Sequence, residues 1–398
     1  MEKFTYFLEQ KRIRRFKLRR CAFAAIFLCA ASSVFAQGYP ETSYKLSDDK
    51  TVLESWKGDE TDIDMNSDAN LKGVNEIADY AFDGNTNVKS IVIGENVKTI
   101  GAGAFLDCTS LEKVVMPDGL ETIGRAGFSS CTELKNVVLP TSLKSMGNSV
   151  FYNCAAIDKI IIPAEVTSVP DGAFNSCYSL SSVTFGDKVE TIGEEAFKLC
   201  SSLTEISFPV SLKEIGTNAF VECKSLEDIT LPESVEYIDD YVFQDCSGLL
   251  SVSLGSRVSH IGTECFSGLS GLQQFSVYAV EPPSLGSYVF NLTPVDKCKL
   301  LVPEESIDKY KEAEQWKDFM TTTTSITSVS EGHMPLIRVV LGMLNIDNMN
   351  GGSAVSVYTL AGQKVYSAAS DSGSMSVALQ SGMYVVCIND VASKVLIP

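Results

Sequence analysis

The stretch VETIGEEAFKLCSSLTEISFPVS (residues 189–211) runs straight into LKEIGTNAFVECKSLEDITLPES (residues 212–234), and the second restates the first position by position. Working outward, the same 23-residue unit begins at Val74, Val97, Leu120, Leu143, Val166, Val189, Leu212, Val235 and Val258, nine copies without an insertion. One copy reads V-x-x-I-G-x-x-A-F-x-x-C-x-x-L-x-x-I-x-L-P-x-x. Its Phe recurs at Phe82, Phe105, Phe128, Phe151, Phe174, Phe197, Phe220, Phe243 and Phe266. Its Cys recurs at Cys108, Cys131, Cys154, Cys177, Cys200, Cys223 and Cys246, with Asn85 and Leu269 in that slot of the end copies. A fixed period of this length predicts a solenoid, in which no repeat buries its own apolar face and stacking supplies the core.

Within a copy, Leu111, Val114 and Met116 alternate with Lys113 and Val115, the period-two signal of a strand with one buried face. Pro117, Pro140, Pro163, Pro209 and Pro232 end that strand, because proline cannot donate to a ladder. Ile123-Gly124 and its equivalents are expected to turn the chain, and the Ala-Phe segment to return as a short helical or irregular arc. Each Phe is expected in the core, with terminal copies such as Phe266 more tolerant of truncation because a solenoid end has fewer neighbours.

These motifs resemble the BspA-type leucine-rich repeat family, whose coils carry the same L-x-x-I-x-L-P followed by I-G-x-x-A-F-x-x-C. The resemblance covers residues 74–279 and implies a β-rich leucine-rich repeat solenoid in a secreted or surface-exposed bacterial protein. The family is associated with adhesion and host contact; the resemblance implies no particular ligand.

The formal net charge is −18. Residues 1–36 hold eight basic and two acidic residues, so the remainder carries 24 basic against 48 acidic, or −24. Such a surface repels phosphate backbones and anionic lipid, which argues against nucleic-acid binding and peripheral membrane attachment. One Cys per coil is not a disulfide framework. Parallel side chains about 4.8 Å apart stay wider than the roughly 3.5–4.5 Å between the Cβ atoms of a relaxed bridge. No C-x-x-C occurs and no His accompanies the thiols, so the ladder reads as reduced, buried and free of metal.

Residues 1–36 read as an export signal: a basic n-region through Arg20, an apolar stretch from Cys21 to Ala31, and Val34-Phe35-Ala36 before the cleavage point. That apolar stretch is too short for a permanent span, so no integral membrane segment is expected after its removal. Residues 37–73 form an N-terminal cap with strand-like runs at 43–46, 51–53 and 63–65. Its Asp59, Glu60, Asp62 and Asp64 lack the Gly and closing Glu of a calcium loop and read as a solvated edge. After residue 279 the pattern breaks at Glu281-Pro282-Pro283. Residues 280–320 form a C-terminal cap, in which Ser306 is expected to cap a short helix carrying Ile307, Tyr310, Ala313 and Trp316 on one side. Residues 321–335 are a polar linker. Residues 336–398 form a small β-sandwich-like domain of short alternating runs between Gly-rich turns. Its VSVYTLAGQKV (355–365) and LQSGMYVV (379–386) are similar to the C-terminal sorting domain of the type IX secretion system, which implies export through that machinery. A lone Lys394 and a terminal Pro398 depart from the more basic finish of that family.

The chain has two histidines, His260 and His333, and neither a phosphate-cradling glycine loop nor a G-x-S-x-G elbow. Open, solvated carboxylates are poor acid–base pairs. The expectation is a non-catalytic, adhesin-like binding protein without a cofactor, whose partner is a host or bacterial surface protein or a glycan. A structural spacer is the alternative, and a secreted hydrolase a lesser one. The predicted concave strand centre reads Val92, Val115, Val138, Ile161, Thr184, Ser207, Thr230, Ser253, Ser276. The neighbouring column reads Ser90, Lys113, Asn136, Lys159, Ser182, Glu205, Asp228, Ser251, Gln274. The first four coils are thus apolar with lysines, and Val92, Val115, Val138, Ile161, Lys113 and Lys159 are the candidate contacts. β-branched residues also simply suit a strand surface.

Overall fold

The computed structural model describes residues 38–319, 323–325, 336–340, 343–347, 354–359, 363–369, 374–380, 382–388 and 391–397. The leader expected at 1–36 lies outside them, as does the linker apart from residues 323–325. The repeats form a β-solenoid of about 12 turns. Each regular copy contributes two short parallel strands rather than one. The first ladder uses the alternating segment, as in Lys159–Ile161, Ser182–Thr184 and Glu205–Ser207. The second uses the x-Ile pair, as in Thr99–Ile100, Thr122–Ile123 and Thr191–Ile192. In both, a residue faces the one 23 positions later, Lys159 opposite Ser182 and Thr191 opposite Glu214. The expected turn at Ile123-Gly124 is therefore a strand followed by a bend. Glycine follows because the coils touch there: a Cβ on Gly124 would lie 2.6 Å from the Ala102 nitrogen.

The Ala-Phe arc is irregular, with no helix. Two residues per copy adopt left-handed backbone, Glu195 (φ 54°) and Leu199 (φ 64°) for example, which stops helical winding. The result aims N–H groups along the axis: Phe105 N donates to Gly127 O at 2.8 Å and Phe128 N to Val150 O at 2.9 Å. Inward from the arc, the Phe rings form one column with neighbouring centroids 4.7–5.6 Å apart and nearly parallel planes.

Both ladders extend past the nine copies. At the N-terminus, Tyr44–Leu46 pairs antiparallel with Val52–Trp56, Leu53 faces Ile77, and Asp62–Asp64 pairs with Ser90–Val92. Trp56 takes the Phe position, stacking on Phe82 at 5.6 Å. The buried Asp68 carboxylate ties this cap together by accepting from the backbone N–H groups of Tyr39, Asn70 and Leu71. At the other end Ser284–Leu285 joins the second ladder and Lys299–Val302 the first. Phe290 continues the ring column at 6.2 Å from Phe266. Glu281-Pro282-Pro283 thus does not end the solenoid; it adds one residue to a tenth coil. Phe266 is accordingly not at an end, and lies between Phe243 and Phe290 with the edge of Phe275 against it.

A helix over Ile307–Glu312 closes this end. Tyr310 Oη donates to Ala279 O at 2.8 Å, Trp316 Nε1 donates to Pro283 O at 3.0 Å, and the indole meets Phe290 edge-on. Ser306 precedes the helix but does not cap it; its hydroxyl is buried without a hydrogen-bond partner. Beyond it, the described residues of the C-terminal domain form a three-stranded and a four-stranded antiparallel sheet. They share a core of Leu344, Ile346, Val355, Val357, Val377, Tyr384, Val386 and Ile388.

Candidate binding face

The middle residue of each strand in the first ladder, Val114 and Ile160 for example, points into the core, so the column expected at the strand centre is instead the last strand residue, Val115 or Ile161, and points out. Along that outward column Val92 is half-buried, Val115 is 40% exposed, Val138 75% and Ile161 66%. Thr184, Ser207 and Thr230 are exposed, Ser253 is half-buried and Ser276 is buried. Val115, Val138 and Ile161, on three consecutive coils, are therefore exposed apolar side chains on this face.

Val138 is the most exposed of these three, and its coil is irregular. Residues 136–138 form no strand, and Asn136 holds φ at +51°, the one left-handed residue among the described strand-centre columns. Periodicity alone reads this copy as regular. The available signal is the Asn itself, which tolerates left-handed backbone better than its counterparts Lys113 and Lys159.

Lys113 and Lys159 are exposed, and no carboxylate lies within ion-pair reach of either among the described residues. Three other lysines of the array pair coil to coil, Lys144 with Glu121 at 2.6 Å, Lys188 with Glu165 at 2.8 Å and Lys213 with Glu190 at 2.8 Å. Toward the other end, Asp228 accepts from Ser251 Oγ at 2.6 Å. The two halves of the face thus differ in charge as well as polarity.

The ladder cysteines are free and buried. Each thiol donates to the Phe carbonyl of the preceding coil: Cys131 to Phe105 at 3.1 Å, Cys177 to Phe151 at 3.2 Å, Cys246 to Phe220 at 3.1 Å. The slot therefore needs a small apolar side chain that carries one donor, and cysteine meets both demands. In the slot one turn beyond Leu269, Thr293 plays the same part, donating to Phe266 O at 2.7 Å. Burial holds the thiols of Cys131, Cys177 and Cys200 above their ordinary range.

A shallow polar groove of about 260 Å³ lies between coils at Arg125, Asn148, Asp171 and Glu194, a feature that sequence reading missed. Its central carboxylate is engaged by the neighbouring coils: Asp171 accepts from Asn148 Nδ2 at 3.0 Å and from Glu194 N at 3.0 Å. Among the described residues no group of His, Cys, Asp and Glu is arranged to hold a metal ion. No described helix is long and apolar enough to cross a membrane.

The BspA type leucine-rich repeat region family model matches residues 65–181 and 167–295, in six copies, together more than half of the chain. The chain belongs to the BspA-type leucine-rich repeat family. Solved structures similar to this BspA-type array include a leucine-rich cell surface protein of Faecalibacterium prausnitzii, at 23% identity and TM-score 0.44, covering 74% of this chain and 96% of that one. A leucine-rich repeat protein of Bacteroides ovatus matches at 21% identity and TM-score 0.37, over 71% and 97%. The pneumococcal vaccine antigen PcpA matches at 19% identity and TM-score 0.40, over 68% and 77%. No curated protein matches the chain.

Proposed function

We propose that this BspA-type protein is an exported, surface-displayed, non-catalytic binding protein that holds a partner protein over Val115, Val138 and Ile161. The exposure of Val138 and Ile161 is the observation that carries the reading. Covering that stripe contributes on the order of 25 cal/mol per Å² of apolar area before association entropy and desolvation are subtracted. Lys113 and Lys159 stand unpaired beside it in a chain of net charge −18, so the complementary partner carries an apolar recess with an acidic rim. A glycan offers no match for three consecutive branched apolar side chains.

The test compares the immobilised full chain with a variant carrying Val115→Thr, Val138→Thr and Ile161→Thr, each exposed to bacterial and host surface proteins. Thr184 and Thr230 already occupy this column in the exposed state, so the variant is expected to melt within a few degrees of the parent. A protein retained by the parent is expected to be lost from the variant, and retention by the parent to weaken with salt. Equal retention by both would leave the array a spacer, with the apolar column reflecting strand propensity alone.

We also propose that residues 336–398 are the delivery device, a reading supported by their resemblance to a sorting domain and by a hydrophobic core of their own. Deleting them is expected to leave the array folded but retained in the periplasm. Normal surface display of the truncated protein would argue for another export route.

A further inference from the structure

The two ladders are points on one helical seam along which each coil meets the next. Between residues 136–146 and residues 159–169 that seam loses both. The first ladder stops at Lys113–Val115 and resumes at Lys159–Ile161, residues 136–138 forming no strand between them. The second stops at Ser145–Met146 and starts again at Ser168–Val169. These are consecutive lengths of the same seam, with no arc intervening. A later gap, between Glu205–Ser207 and Asp228–Thr230, interrupts the first ladder only; there the second continues, Glu214 opposite Tyr237.

Both losses have causes in the sequence. Asn136, left-handed at φ +51°, takes its segment out of the pleat. Pro170 stands where neighbouring copies have Gly101, Gly124, Gly147, Gly193 and Gly216. Each of those glycines donates its N–H to the second-ladder strand before it, Gly147 to Ile123 O at 2.8 Å and Gly193 to Val169 O at 2.8 Å. Proline has no N–H for Met146. On the opposite side the same two coils remain bonded: Ser149 N to Asp171 O at 2.7 Å, Phe151 N to Ala173 O at 2.9 Å and Asn153 N to Asn175 O at 2.8 Å. The Phe151 and Phe174 rings stay stacked at 5.6 Å.

We propose that this seam is a bending joint. Two stiff segments of the array open and close on their strand side, and the bonded arc with its Phe column is the pivot. Val138 and Ile161 stand on opposite lips of the seam, so flexing changes their spacing. That last consequence rests on the binding role proposed above; the joint does not.

Hydrogen exchange of the full chain tests it without a partner. The amides of Asp158 and Thr167 are expected to exchange at least about tenfold faster than those of Ser181 and Glu190, their counterparts one coil on, because Ser181 N donates to Asp158 O and Glu190 N to Thr167 O, each at 2.8 Å, and the open seam offers Asp158 and Thr167 no such bond among the described residues. A variant with Asn136→Lys and Pro170→Gly, the residues found at these positions in neighbouring copies, is expected to bring the amides of Asp158 and Thr167 down to the rates of Ser181 and Glu190. Equal protection of these two pairs of amides in the natural protein would overturn the proposal. So would a repaired variant that folds with unchanged circular dichroism yet still exchanges fast. Should the double variant not fold, Pro170→Gly alone makes the same comparison over residues 167–170.

Discussion

Above about pH 8.5 the protein is expected to lose stability steeply, and the thiol ladder to be the cause. Contact with Cys131, and then burial, raises the Cys108 thiol; burial raises Cys131, Cys154, Cys177, Cys200, Cys223 and Cys265. The folded state therefore keeps protons that the unfolded chain releases near the ordinary thiol value of about 8.5. A group raised in this way contributes its full stability below that value and loses it as pH rises toward the folded one. In that window each thiol adds a slope of about 1.4 kcal/mol per pH unit, so several acting together amount to several kcal/mol per unit. Urea midpoints measured at pH 7, 8, 9 and 10 check this: flat to pH 8, then falling. Cys177→Ala and Cys200→Ala should each remove about one thiol's share of the slope. A slope indifferent to both substitutions would assign the alkaline loss to other groups.

Phe174→Ala is expected to cost about 3–5 kcal/mol, as large aromatic truncations in packed cores do. The ring is fully buried, with Phe151 at 5.6 Å and Phe197 at 5.4 Å, and its removal leaves a hole that two stacked neighbours border. Phe266→Ala is expected to cost the same within about 1 kcal/mol, since it is fully buried among three rings, Phe275 at 5.0 Å, Phe243 at 5.6 Å and Phe290 at 6.2 Å. The control is Tyr178→Ala, on the surface of the same copy as Phe174, with an expected change of about 0.5 kcal/mol or less. A Phe266 variant far milder than the Phe174 variant would mean that the tenth coil packs loosely.

The core was legible from sequence because period 23 repeats the same side chain in the same environment, and one Phe or Cys position predicts all the others. The second ladder was not legible, because a two-residue strand is too short to show alternation. The end coils hid for a different reason. Trp56 lies 26 residues before Phe82 and Phe290 lies 24 after Phe266, so the ring column continues there while the spacing does not. The candidate face was legible as a column, Val92 to Ile161. How far each member projects was not, because Asn136 changes the backbone without breaking the period.

The thiol bonds all run the same way, from each coil back to the one before, which gives the array a chemical direction. Such a series needs an ending, and Thr293 supplies it: its hydroxyl donates to Phe266 O and accepts from Leu269 N at 3.1 Å. Beyond it Trp316 meets Phe290 edge-on and donates to Pro283 O, so the end of the ring column is covered by the cap. Duplicating a 23-residue unit would lengthen the column from within, whereas a covered end is expected to discourage finished molecules from joining end to end into fibres.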